Sequence, residues 1–208
     1  MEISTVLFDL DGTITDSGSG IINSVKYALK KAGRKIPPED ELRKFIGPPL
    51  QEQFMKCCGI EEKEAAEMVV LYREYYQEEG IFDNRVYDGV MEMLKTLKEA
   101  GLTIVMATSK PEKEHFGFAK YFDLIGGACM DGARTKKQEV IQYVLEQCKE
   151  KDREKIRMVG DRCYDIEGAN REGIRAIGVL YGYGSKEELE EAGADGLAET
   201  PEEVVRMI

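Results

Sequence analysis

The chain has 208 residues, of which 42% are hydrophobic and 33% charged, with a formal net charge of -11. That length supports one sizeable core, or a core with a small insert, and the composition excludes a disordered chain. No apolar run approaches the roughly 20 residues that span a bilayer, and the acidic balance, without a basic stripe or aromatic platform to offset it, argues against nucleic acid and membrane partners.

Met1-Glu2 leads directly into the first apolar run, which leaves no room for a signal peptide and makes a cytoplasmic location the expectation. That run, Thr5-Val6-Leu7-Phe8, reads as a buried parallel strand. It ends in Asp9-Leu10-Asp11-Gly12-Thr13. Ligands of α/β sheets lie at the carboxyl ends of such strands, so Asp9 stands where a substrate can reach it. Gly12 lets the backbone turn and approach a ligand. Two carboxylates so placed can divide nucleophile, acid and metal-binding roles.

Helical periodicity follows at 21–32, 39–45, 50–58 and 62–79, broken by Pro37-Pro38 and Gly47-Pro48-Pro49. No convincing strand occurs between about 16 and 81, so this region reads as an all-helical block. The pattern then alternates: helix 90–100, strand 103–108, helix 111–120, a strand beginning at 124–125 and helix 137–149. Strand 156–159, helix 166–172, strand 176–180 and helices 186–192 and 201–208 complete it. Alternating strands and helices imply a Rossmann-like, doubly wound parallel sheet. The expected division is an α/β core of 1–15 and 82–208, with 16–81 inserted as a helical cap.

Three further segments place polar groups at the same sheet edge. Strand 103–108 ends at Thr108-Ser109-Lys110, whose hydroxyl and backbone N–H groups can hold a phosphate oxygen. Ser109-Lys110-Pro111-Glu112 also fits a helix N-cap with a first-turn proline, and the two readings are compatible. Lys136-Lys137 opens a helix, and Lys137 is chosen as the fixed charge that reaches back over the sheet end. Met158-Val159-Gly160-Asp161 and Asp165 add two acids. Mg²⁺ takes oxygen ligands and uses one or two carboxylates, so Asp9 and Asp161, supported by Asp165, suit it.

The remaining reactive residues suggest no rival chemistry. The 5 cysteines, Cys57, Cys58, Cys129, Cys148 and Cys163, are odd in number and form no CxxC pair, so they read as reduced thiols. The single histidine, His115, reads as a surface or packing residue.

Taken in order, Asp9-Leu10-Asp11-Gly12-Thr13, Thr108-Ser109, Lys137 and Gly160-Asp161 with Asp165 resemble the four motifs of haloacid dehalogenase superfamily phosphatases. The resemblance covers the whole chain, including a helical cap inserted after the first motif. It implies that Asp9 attacks phosphorus and becomes an aspartyl-phosphate, while Asp11 serves as acid and then base. It implies Mg²⁺ held by Asp9, the Asp11 carbonyl and Asp161, with Thr108 and the Ser109 N–H on a phosphoryl oxygen, and Lys137 as balancing charge. It also implies a cap that closes over a small phosphorylated metabolite and excludes water.

Asp11 favours phosphoryl chemistry over dehalogenation, since dehalogenases lack an aspartate there. A β-phosphoglucomutase-type mutase is the alternative activity, and a noncatalytic phosphate-binding module the alternative class. Arg43–Leu50 resembles the substrate-facing loop of phosphoglycolate-phosphatase-like caps, which makes Gly47 a candidate substrate contact against plain helix-turn packing. Tyr181-Gly182-Tyr183-Gly184-Ser185 resembles the tails of the same group. Met130-Asp131-Gly132-Ala133-Arg134-Thr135 instead resembles a 5′-nucleotidase-like branch, which raises nucleoside monophosphates as substrates. Pyrophosphate and phosphotyrosine remain open, and the sequence does not indicate an oligomeric state.

Overall fold

Side-chain alternation in β1 (Thr5–Phe8) sets the two faces of the sheet: Val6 and Phe8 join one apolar cluster and Leu7 the other. The computed structural model describes residues 2–111, 118–128, 134 and 136–208. His115, Cys129, Met130–Ala133 and Thr135 lie outside the described residues.

By contacts, the chain forms two units: Met1–Thr15 with Val86–Ile208, and Asp16–Arg85. The strands after β1 are β2 (Thr15–Asp16), β3 (Arg85–Val86), β4 (Thr103–Pro111), β5 (Leu124–Ala128), β6 (Ile156–Gly160), β7 (Arg175–Val179) and β8 (Gly196–Ala198). Six of the strands form one parallel sheet in the order β5-β4-β1-β6-β7-β8. The chain runs outward from β1 in both directions, so β1 lies at the topological switch point, where α/β sheets bind ligands. Its register pairs Phe8 with Met106 and Val159, which brings the ends of β1 and β6 level beside Met106 of β4.

The helices are α1 (Gly18–Lys31), α2 (Glu39–Arg43), α3 (Leu50–Cys58), α4 (Glu62–Glu78), α5 (Val90–Glu99), α6 (Lys137–Gln147), α7 (Cys163–Arg171), α8 (Lys186–Glu191) and α9 (Pro201–Met207). On one sheet face, Val90, Leu94 and Leu97 of α5 and Val204 of α9 bury Val6, Phe8, Ile104 and Met106. On the other, Val140, Ile141 and Val144 of α6 and Ile166 of α7 bury Leu7, Val105 and Met158. The fold is therefore α/β and doubly wound, as the alternating pattern implies. Helices α1 to α4 belong to the second unit, where the Phe45 and Phe54 rings meet edge to face at 4.9 Å.

Three local features differ from the sequence expectation. Pro111 ends a strand rather than starting a helix, because β5 pairs with β4 as far as Pro111 and Ala128, across a register shift after Thr108. A proline is tolerated at such an irregularity, where no ladder N–H is required. Ser109 therefore lies within β4 rather than capping a helix, Ala119–Tyr121 is a 3-10 turn, and 112–117 of the expected helix lie outside the described residues. Helix α7 begins at Cys163, not 166, because Asp165 accepts the Arg162 N–H at 3.1 Å and caps the turn. The β2–β3 ribbon, which carries the two chain crossings between units, and strand β8 are two to three residues long. Segments that short carry no readable period.

Candidate active site

Two strands and two helices around the switch point each deliver one chemical group. Asp9 follows β1 and is anchored by its own N–H to the Val159 carbonyl at 2.9 Å. Asp161 follows β6, and Asp165 lies in the first turn of α7. Lys137 is the first residue of α6 and points back across the sheet edge, where Nζ donates to the Ala107 carbonyl at 2.9 Å.

These four side chains are buried together. Lys137 Nζ donates to Asp9 Oδ1 and lies 2.9 Å from Asp165 Oδ1. The second contact is an ion pair without the alignment of a hydrogen bond. Asp165 Oδ2 is spent on the α7 cap. Asp161 Oδ2 accepts the Tyr183 N–H at 2.8 Å, and Oδ1 accepts a long 3.4 Å bond from the Thr13 hydroxyl.

Charge in this pocket is out of balance. Burial raises the Asp9 carboxyl to about 7 against the opposing pull of Lys137, with Asp165 and Asp11 adding to the rise. Burial, then Asp165 and Asp9, hold Asp161 well above the carboxylate range. Burial alone would lower Lys137, but Asp165 and Asp9 outweigh it and keep the ammonium charged. Three buried carboxylates thus face one buried ammonium.

This donor set fits a hard divalent cation. One oxygen from each of Asp9, Asp161 and Asp165 lies within 4.8 Å of the others. An all-oxygen carboxylate set is what Mg²⁺ uses, and a cation would remove the electrostatic penalty. Gly12 helps to make the space: its φ is +91°, and a Cβ there would lie 2.1 Å from Asp161 Oδ2. Only glycine lets the first-motif backbone pass this close to Asp161.

Thr108, Ser109, Asp11, Lys136 and Gly47 are the other sequence candidates. Thr108 is buried in β4 opposite Gly127, just before the register shift and one residue beyond the carbonyl that Lys137 binds. Ser109 is half-buried in the same strand, and Asp11 is half-buried between Asp9 and Gly12. Lys136 is exposed, with its N–H on Glu139 Oε2 at 3.0 Å. Gly47 lies in the helical unit between α2 and α3, at φ +103°.

Sequence reasoning missed several groups that hold Asp161. The Thr13 hydroxyl and the Tyr183 N–H bond it directly, while the Tyr181 hydroxyl bonds the Thr13 carbonyl at 3.2 Å and Glu188 bonds Arg162, the next residue. Backbone donors leave no residue-type signature. Ser185-Lys186-Glu187-Glu188 does carry the S-x-x-E pattern of a helix start, and Ser185 Oγ caps α8 through the Glu188 N–H at 3.1 Å.

The chain is similar to known proteins in sequence and in fold. The haloacid dehalogenase-like hydrolase family model matches residues 6–179. A 5′-nucleotidase of Pseudomonas aeruginosa is 44% identical over 190 residues, covering 88% of this chain and 86% of its own. A phosphoglycolate phosphatase of Vibrio parahaemolyticus is 29% identical over 224 residues, covering 100% of this chain and 96% of its own. The crystal structure of a predicted phosphatase from Clostridium acetobutylicum superimposes with a TM-score of 0.93 at 42% identity, covering 100% of this chain and 98% of that one. The chain therefore belongs to the haloacid dehalogenase-like hydrolases, as an enzyme of their phosphatase kind.

Proposed function

We propose that the chain is a Mg²⁺-dependent phosphomonoester hydrolase that works through a phosphorylated Asp9. The observation that carries this reading is the buried group of Asp9, Asp161 and Asp165 around Lys137 at the switch point. Asp9 Oδ attacks phosphorus while the ester P–O bond breaks, and Asp11 gives its proton to the leaving oxygen. Asp11 then takes a proton from water, which attacks phosphorus and frees the Asp9 carboxylate and inorganic phosphate. Lys137 favours the ionised nucleophile and offsets charge on the incoming phosphate. Thr108 and the Ser109 N–H orient a phosphoryl oxygen. Mg²⁺ bound by Asp9, Asp161 and the Asp11 carbonyl, with Asp165 in support, would supply charge neutralisation.

A nucleoside 5′-monophosphate is the substrate class favoured, through the similarity to the 5′-nucleotidase and the Asp131-Gly132-Ala133-Arg134 run. A phosphoglycolate-type substrate comes second, through the more distant relative. A cytoplasmic setting suits the four described cysteines, Cys57, Cys58, Cys148 and Cys163, which are free thiols. Among the described residues, no helix is long and apolar enough to cross a membrane.

The test is phosphate release from nucleoside monophosphates, phosphoglycolate, sugar phosphates and pyrophosphate, with Mg²⁺, with EDTA and with Asp9→Asn. Turnover that needs both Mg²⁺ and Asp9 supports the reading, and the preferred substrate separates the two classes. Sugar-phosphate interconversion without phosphate release would replace it with a mutase.

A further inference from the structure

We propose that the β7–α8 connection together with the first turn of α8, from Tyr181 to Glu188, is a positioning strap that fixes the Asp161 carboxylate for a divalent cation; this rests on the metal-binding reading above. The connection grips Asp161 from three sides. The Tyr183 N–H holds Oδ2 at 2.8 Å. Gly182 lies flat against the residue: a Cβ there would come within 2.3 Å of Asp161 Cβ and 2.4 Å of the Gly12 carbonyl. Behind Asp161, Glu188 Oε1 accepts from Arg162 Nε at 2.8 Å and from the Cys163 N–H at 2.9 Å. One carboxylate thereby ties the start of α8 to the two residues that follow Asp161.

The strap is fastened to the first motif as well. The Tyr181 hydroxyl donates to the Thr13 carbonyl, and the Thr13 hydroxyl donates to Asp161 Oδ1. The Tyr181 ring is braced by the Tyr87 ring, 5.2 Å away and edge to face. The 2.8 Å bond on Oδ2 commits that oxygen more firmly than the 3.4 Å bond commits Oδ1, which leaves Oδ1 the freer oxygen for a cation. Groups that orient a metal ligand typically change affinity by 10–100-fold when removed. The strap therefore selects the oxygen and holds its direction without itself touching substrate.

The test is binding of Mn²⁺ alone to the full chain, followed by electron paramagnetic resonance, with melting temperature in EDTA recorded in parallel. Glu188→Ala is expected to weaken Mn²⁺ roughly 10–100-fold, and Gly182→Ala at least as much. Glu188→Gln keeps an oxygen for both donors and is expected to stay near wild type. Thr200→Ala removes the cap of α9, which lies outside the strap, so it lowers melting temperature and leaves the Mn²⁺ constant unchanged. If Gly182→Ala does not fold, Glu188→Ala carries the test. Wild-type Mn²⁺ affinity in Glu188→Ala overturns the strap while leaving the metal site standing, provided that Asp161→Asn has lost binding. Equal binding by wild type and Asp161→Asn overturns both.

Discussion

Lys137 Nζ lies 2.9 Å from Asp165 Oδ1 while donating to Asp9 on its other side, so one ammonium couples the carboxylate ending β1 to the carboxylate opening α7. Removing it leaves two buried acids facing each other. Lys137→Met is expected to lower kcat about 10²–10³-fold, the range for losing one preorganised charge at a transition state. Breaking a buried pair by deleting one partner costs about 3–5 kcal/mol, a range that applies where both acids stay ionised. The Asp9 carboxyl, already at about 7, rises further without the ammonium. A carboxyl raised above its unfolded value binds more protons in the folded state, so its penalty eases as pH falls. Urea unfolding should therefore show the Lys137→Met deficit largest near pH 8 and smaller near pH 5, given these directions.

Metal removal follows the same sign. In the metal-free protein Asp9 and Asp161 both titrate above the ordinary carboxylate range, chiefly through burial. Below about pH 7 a proton on Asp9 competes with a cation, and that competition eases as pH rises. Thermal unfolding with MgCl₂ and with EDTA should therefore differ more near pH 8 than near pH 5.5. A gap that widens on acidification contradicts this placement of the cation.

In the proposed mechanism Asp11 transfers protons and Asp9 attacks. Asp11→Asn is expected to reduce turnover about 10²–10⁴-fold, the usual worth of a positioned acid or base. Because Asp9 and Asp161 are untouched, Mn²⁺ binding should stay at the wild-type level. A parallel loss of Mn²⁺ affinity would give the Asp11 side chain a metal-holding role instead.

Each unit has a core of its own, and damage should stay local. Phe54 is fully buried in the helical unit against Phe45. Phe54→Ala is expected to cost about 3–5 kcal/mol in lost burial and cavity. Amide exchange should accelerate across α1 to α4 and leave β1, β4 and β6 protected.

The centre of the sheet was legible because β1, β4 and β6 are apolar runs that lead into acids or hydroxyls, and because α5 and α6 carry clear 3.6-residue periods. Asp9, Asp161, Asp165 and Lys137 stood out for the same reason, as chemistry placed at element ends. The short ribbon of Thr15–Asp16 with Arg85–Val86 was not legible, since two residues carry no period. Ser109 to Pro111 misled because a serine two residues before a proline is also a helix-start signal. The strap around Asp161 was hidden because its closest bond is a backbone N–H and its far anchor is a glutamate inside an ordinary capping pattern.

The central claim is a covalent phosphoryl group on Asp9. The most direct measurement is mass spectrometry of acid-quenched Asp11→Asn protein after exposure to a nucleoside monophosphate and Mg²⁺. One phosphoryl group on the peptide that contains Asp9, absent with EDTA and absent in an Asp9→Asn, Asp11→Asn double variant, is the predicted result. Phosphate release with no such adduct, or an adduct on a peptide lacking Asp9, would contradict it.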